Sequence, residues 1–199
     1  MKTLALELST SRGSLAWLDG EIEFTREWPN DRKNSAAFFE NLQAVQRKFG
    51  APETITVGLG PGSYAGTRIA ISAAIGIQLS CDARLIGDPS ICAMECDAQE
   101  YCVIGDARRK SFFFARIFKN EVIEGPTLSS ELELKAKLDS LDPATAIFSS
   151  ELLPQFHRPV IRFPSALILA RLAKEPRRSF FLPPLQPIYL REPHITIPK

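Results

Sequence analysis

Residues able to do chemistry gather at three places in this chain. Near the start, Glu7 and Ser9 stand at the end of an apolar run, where a carboxylate can accept a hydrogen bond or hold a metal ion. In the middle lies Val57-Gly58-Leu59-Gly60-Pro61-Gly62-Ser63-Tyr64-Ala65-Gly66-Thr67-Arg68-Ile69-Ala70. Gly58, Gly60 and Gly62 let the backbone take positive φ and turn its N–H groups outward. Such groups at a helix start form a concavity suited to anions. Further on, Asp106 and the basic run Arg108-Arg109-Lys110 make a third polar cluster. It is either the wall of a cleft facing a nucleotide or RNA phosphate, or a solvated turn before the next strand.

Three readings of the glycine loop compete. A Walker A loop is excluded, because no Gly-Lys-Ser/Thr closes it. A dinucleotide fingerprint wants an acid at the end of the next strand, whereas Asp82 precedes the apolar pair Leu85-Ile86. The third reading is a tight strand-to-helix connection with no ligand. No Ser-His-Asp or Cys-His set can be assembled around the two histidines, His157 and His194. The four cysteines, Cys81, Cys92, Cys96 and Cys102, lack zinc spacing and read as buried free thiols.

Composition narrows the function classes. The 199 residues allow one domain or two small ones. With 24 basic and 23 acidic residues the net charge is +1, which argues against a chain that grips nucleic acid unaided. The start carries Glu7 inside a short apolar run, unlike a signal peptide. The apolar run from Ile69 to Leu79 falls short of the roughly 20 residues that span a membrane, so a cytoplasmic protein is expected.

The elements that must position these residues follow from periodicity and turn signals. Lys2 to Leu8, Ser14 to Leu18 and Ile22 to Trp28 read as a three-strand meander. A helix capped at Asn34-Ser35 runs to Phe49 on the stripe Phe38, Leu42, Val45 and Phe49. The Thr54 strand, the glycine loop, a long helix, the short strand Leu85-Ile86 and a third helix from Asp88-Pro89-Ser90 come next. A shorter second round has strands at Tyr101 to Gly105, Phe112 to Phe118, Glu121 to Glu124 and Ala144 to Phe148. Helices follow from Ser129 or Ser130 to Leu138 and from Pro164-Ser165 to Leu172, and the tail from Pro183 is irregular. The division falls near Gln99, giving an N-terminal half over 1–99 and a reduced second half over 100–199.

The long helix is apolar on both sides. Gly66, Ile69, Ala70, Ala73, Gly76 and Ile77 fall on one side, and Ile71, Ile75 and Leu79 on the other. Such a helix is expected to be buried all round. Either its own chain covers it entirely, or its Gly/Ala-rich side takes a partner helix at close range.

Strand meanders followed by alternating helices and strands, present twice, suggest an α/β fold of the actin-like ATPase (ribonuclease H-like) architecture. The residues Gly58-Leu59-Gly60-Pro61-Gly62-Ser63-Tyr64-Ala65-Gly66-Thr67-Arg68-Ile69-Ala70 resemble the Gly-x-Gly-Pro-Gly-Ser-Phe-Thr-Gly-x-Arg-Ile-Gly of the TsaB (YeaZ) family. Ile104-Gly105-Asp106-Ala107-Arg108-Arg109 is similar to that family's Ile-Asp-Ala-Arg, and Pro187-Ile188-Tyr189-Leu190-Arg191 to its Pro-x-Tyr-Leu-Arg. One departure is Leu6-Glu7-Leu8-Ser9 where the family writes Leu-Asp-Thr-Ser. The catalytic relative TsaD binds metal through a His-x-x-x-His pair, and the matching helix here, from Asn34 to Glu40, has no histidine.

The resemblance implies a non-catalytic subunit in the making of threonylcarbamoyladenosine in tRNA. It would dock onto TsaD through the long helix and act with the ATPase TsaE, meeting tRNA only through the complex. ATP or ADP would sit at the complex interface, no cofactor being certain. Glu7, Ser9, Asp106 and Arg108 are the candidate nucleotide or phosphate contacts. Without its partner the chain is expected to pair with itself. The alternative is a small actin-like kinase or nucleotide hydrolase acting alone, using Glu7 and Asp106 with magnesium.

Overall fold

The computed structural model describes residues 1–30 and 35–191. The expected cap at Asn34 and the histidine His194 lie outside the described residues. In the first half, β1 (Thr3–Glu7), β2 (Arg12–Asp19), β3 (Ile22–Pro29), β4 (Thr54–Gly58) and β5 (Arg84–Asp88) form one sheet in the order β3-β2-β1-β4-β5. In the second, β6 (Glu100–Asp106), β7 (Ser111–Phe118), β8 (Glu121–Ser130), β9 (Ala146–Ser149) and β10 (Val160–Ile161) form another in the order β10-β9-β6-β7-β8. In each sheet the first strand is central. Two antiparallel strands follow on one side and two parallel strands on the other. The same topology twice is the actin-like, ribonuclease H-like α/β architecture, with the second copy reduced.

Helices α1 (Ala36–Phe49) and α2 (Tyr64–Cys81) cover one face of the first sheet. Phe38, Leu42 and Val45 of α1, and Ala70, Ile71, Ala74 and Ile77 of α2, share a core with Leu4, Leu6, Trp17, Ile55 and Val57. In the second half, α3 (Glu131–Ser140) brings Leu134 and Leu138 onto Ile104, Phe114 and Ile147. It starts with a complete capping box between Ser130 and Glu133.

Helix α4 (Ala166–Leu172) does not stay with the half that precedes it. Its Ala166, Leu169 and Ala170 pack on Ala5, Ala16 and Leu18, the other face of the first sheet. The small side chains of Ala5 and Ala16 make room for it. A second half built of 100–199 alone therefore does not describe the chain. Phe181 then pairs with Gly87 of β5 through both backbone hydrogen bonds, 2.9 and 3.0 Å.

Other expectations also change. The helix expected from Asp88-Pro89-Ser90 is a single 3-10 turn, Ser90–Ala93. Strand β8 runs on to Ser130, far past Glu124, and the two-residue β10 has no signal in the sequence beyond Val160-Ile161. Helix α2 is not buried all round: Ile75 is 39% and Leu79 82% exposed. The sheet covers one side of the helix and leaves the other open.

Candidate functional site

Between the halves lies a cavity of about 390 Å³. Its first wall is the turn Ser9-Thr10-Ser11 after β1, with Pro61, Gly62 and Ser63 of the glycine loop and Thr67 of α2. Its second wall comes from β6 and β7, through Val103, Asp106 and Phe113, with Arg108 at the turn. The tail from Pro187 to Arg191 closes it. The three sequence motifs thus converge on one cleft, and Ser9, Pro61, Gly62, Ser63, Asp106 and Arg108 all line it.

The glycines of the loop serve different ends. Only Gly60 takes a positive φ, +89°, so the positive φ expected at Gly58 and Gly62 is not found. Gly62 and Gly66 lie against the end of β1. A Cβ at Gly62 would come within 2.1 Å of the Ser9 carbonyl oxygen, and one at Gly66 within 2.1 Å of that of Leu8. At Gly58 a Cβ would meet Glu7 Oε2 at 1.8 Å.

Several N–H groups of the loop and the helix start are committed within the chain. Leu59 N–H donates to the Asp88 carbonyl, Gly60 N–H to Ser90 Oγ and Ser63 N–H to the Ser9 carbonyl. Ser63 caps α2 by accepting from Gly66 N–H, and Thr67 N–H bonds the Ser63 carbonyl. These five donors are not free to hold an anion, which favours the tight-connection reading of the loop.

Glu7 is corrected as a nucleotide or metal contact. It is 0% exposed and lies under the loop rather than in the cleft. Its Oε1 accepts the Ser9 N–H at 2.6 Å. The extra methylene relative to an aspartate carries Oε2 to the face of Gly58, where it has no hydrogen-bond partner among the described residues. Burial raises the pKa of its carboxyl above the ordinary value, opposed by the nearby Ser9 and Ser90 hydroxyls and the Ser9 N–H.

Asp106 and Arg108 form a closed unit at the rim. Asp106 Oδ1 accepts the Arg108 N–H at 2.7 Å, and Oδ2 pairs with Arg108 Nη1 at 3.0 Å. The Asp106 N–H donates to Glu151 at 2.8 Å. Arg108, Arg109 and Lys110 are exposed and hold φ values of 65°, 53° and 58°, a left-handed turn unusual for side-chain-bearing residues.

The tail straps the cleft. Ile188 N–H donates to the Leu59 carbonyl at 2.8 Å in the first half, while Arg191 Nη2 donates to Ser111 Oγ in the second. Tyr189 rests on Tyr64, ring centroids 5.4 Å apart, and Arg68 Nη1 donates to Tyr64 Oη at 2.8 Å.

A second tie had no signal in the sequence. Asp88, at the end of β5, takes both arms of Arg178, at 2.6 and 2.9 Å. Arg178 Nη2 also donates to the Asn120 carbonyl at 2.6 Å, and Asn120 Nδ2 to the Cys92 carbonyl at 2.7 Å. This buried relay joins β5, the segment after α4 and the β7–β8 turn. An Arg178 beside Arg177 reads as surface charge; only the fold brings it to Asp88.

The proposed partner face needs correcting too. Gly66, Ala70 and Ile77 are buried in this chain's own core, and Ile69 and Ala73 pack half-buried against it. The open stripe of α2 is Ala65, Arg68, Ser72, Ile75, Gly76 and Leu79. The 3.6-residue period was legible; which side met the sheet was not, since both sides are apolar. Among the described residues no group of three or more His, Cys, Asp or Glu could hold a metal ion, and no helix is long and apolar enough to cross a membrane.

Two sheets of one topology with a cleft between them are the actin-like fold. The fold is that of YeaZ: the chain is similar to YeaZ from Pseudomonas aeruginosa, with 21% identity over 86% of this chain and 90% of that one and a TM-score of 0.65. It is also similar to a protein described as uncharacterized with similarity to peptidase YeaZ from Pseudomonas aeruginosa. There the identity is 20%, over 96% of this chain and 99% of that one, with a TM-score of 0.74. No family model matches the sequence, and no curated protein does.

Proposed function

We propose that this chain is a non-catalytic, TsaB-like subunit that docks onto a TsaD-type partner and supports threonylcarbamoyl transfer to adenosine in tRNA, together with a TsaE-type ATPase. The open stripe of α2 carries the reading. Leu79 is 82% and Ile75 39% exposed, and a Cβ at Gly76 would meet nothing within 4 Å. Apolar side chains beside a small residue suit the close approach of a second helix. The three motifs and the YeaZ-like fold support the same assignment. A kinase or hydrolase acting alone through Glu7 finds no support, since that carboxyl is sealed beneath the loop.

Leu79→Glu tests the docking. The variant keeps its circular dichroism and melting temperature, because Leu79 lies outside the core. Isothermal titration against a TsaD-type protein shows at least a tenfold loss of affinity, the change a charge in an apolar contact brings. Sedimentation of the isolated chain reports self-pairing through the same stripe. Unchanged titration would place the docking surface elsewhere.

A further inference from the structure

On the outer side of the cleft rim, the β6–β7 turn gathers cations that no carboxylate of the chain neutralises. Arg108, Arg109 and Lys110 are exposed on it. Arg191 reaches the same turn from the tail, its Nη2 donating to Ser111 Oγ across 80 residues of sequence. A hollow of about 370 Å³ opens beside the turn, bounded by Phe112, Leu153 and Gln155. The two carboxylates in its wall are bonded to the turn itself. Asp106 holds Arg108 by backbone and side chain, and Glu151 accepts the Asp106 N–H. Arg109, Lys110 and Arg191 are left with no carboxylate partner among the described residues.

A short run of like charges is most often a solvated surface. Two observations set this one apart. Arg191 is not part of the run, and the fold brings it there. The turn also holds three cationic residues in succession at positive φ, where glycine or asparagine would sit at less cost. The backbone is fixed by Ala107 N–H donating to the Ser111 carbonyl at 2.9 Å and Ser111 N–H to the Arg108 carbonyl at 3.1 Å.

We propose that this turn binds the sugar–phosphate backbone of a nucleic-acid strand, with Arg109, Lys110 and Arg191 on its phosphates. Guanidinium and ammonium groups are donors only and carry full charge, so they match anions rich in acceptor oxygens. All three side chains are exposed, so solvent and salt screen the hold of each on a single small anion. A strand meets the three at once. The net charge of +1 makes this one contact among several in a complex rather than a grip sufficient alone. The proposal goes beyond partner docking and does not rest on it, since the turn and α2 belong to different halves.

Fluorescence anisotropy of a labelled single-stranded RNA, titrated with the full chain at about 50 mM salt, tests the site. The dissociation constant falls on the order of 10–100 µM. Log affinity declines with log salt at a slope of about −2, as three phosphate contacts to a single strand require. Arg109→Glu with Lys110→Glu weakens binding at least tenfold and makes the slope shallower by about 1. The melting temperature is unchanged, because both side chains are exposed. Arg191→Gln weakens binding severalfold. Arg47→Glu with Arg177→Glu makes the same change of net charge at exposed positions outside the turn and leaves affinity within about twofold. No anisotropy change up to about 1 mM chain overturns the proposal. So does an equal loss from the two double variants, which would make the attraction diffuse. Displacement of the strand by millimolar inorganic phosphate, not reproduced by chloride of equal ionic strength, would overturn it in favour of a free-phosphate site.

Discussion

The first half of the molecule has a locked side and an open side, and α2 belongs to both. Towards the cleft, charges and backbone are held without slack. Asp88 and Arg178, 2% and 4% exposed, grip each other through two hydrogen bonds, and Gly62 and Gly66 press on the end of β1. Away from the cleft, the same helix leaves Ile75, Gly76 and Leu79 uncovered. The locked side is where the fold is decided, so substitutions there should read out as stability. The open side adds little to the core, so substitutions there should read out as binding.

Breaking the locked side at its most charged point has the largest expected effect. Arg178→Ala leaves the buried Asp88 carboxyl without its partner, so that it must stay unpaired or take up a proton, and removes the bond to the Asn120 carbonyl. Losing one partner of a buried pair costs about 3–5 kcal/mol. For a chain of this size the melting temperature falls on the order of 10 °C. Replacing both partners, as Asp88→Asn with Arg178→Met, costs less than the two single changes together. A loss below about 1 kcal/mol for Arg178→Ala in urea unfolding would show that this tie does not hold the halves.

Gly66→Ala comes next. The added carbon would stand 2.1 Å from the Leu8 carbonyl oxygen, just past β1, which has no rotamer by which to withdraw. Forcing atoms into a filled core costs about 1–3 kcal/mol, more than alanine recovers by its better helix propensity.

How much of this was legible in the sequence follows the same division. Local signals were read well: the meander turns, the capping serine ahead of Glu133, the strand-loop-helix order around Gly60, and the halves' repeated rhythm. Convergence was legible only through motif resemblance, since nothing local says that Ser9, Asp106 and Tyr189 meet at one cleft. Long-range pairing was not legible at all. Asp88 and Arg178 are 90 residues apart, and no spacing rule joins them. Nor could periodicity choose the buried side of α2, because Ile71 and Ile75 look alike until the sheet claims one. Glu7 allowed two readings, a metal or nucleotide ligand and a strand-end carboxylate hydrogen-bonded to the turn from Ser9; the bond from the Ser9 N–H at 2.6 Å bears out the second, and one more methylene than aspartate turns the carboxyl inward.

Glu7 gives the locked side a pH dependence that sharpens the contrast. Burial raises its folded carboxyl above the ordinary value of 4.5. Above that value the unfolded chain releases the proton while the folded chain still holds it. The contribution of Glu7 to stability is therefore fully present below pH 4.5 and is lost as pH rises through the folded value. Glu7→Gln keeps the bond from the Ser9 N–H and cannot ionise. Its melting temperature should exceed that of the parent by a few degrees at neutral pH, with the gain vanishing as pH falls to 4.5. A gain that is the same at both pH values would mean that Glu7 stays ionised in the folded chain.

The smallest effect belongs to the open side, and it separates stability from binding most cleanly. Gly76 sits on the same helix as Gly66, yet a Cβ there would meet nothing within 4 Å. Alanine should then act only through the helix itself. Glycine in a helix interior is worse than alanine by roughly 0.5–1 kcal/mol, so Gly76→Ala should stabilise the isolated chain by about that amount. Opposite signs at two glycines ten residues apart would establish that one is held by the fold and the other is not. The same variant reports on docking. If a partner helix packs across Gly76, the new methyl stands between two backbones, and titration against a TsaD-type protein weakens although the chain itself has become more stable. A stabilised variant with unchanged affinity would show that the contact does not cross Gly76, and would shift it towards the exposed end at Leu79.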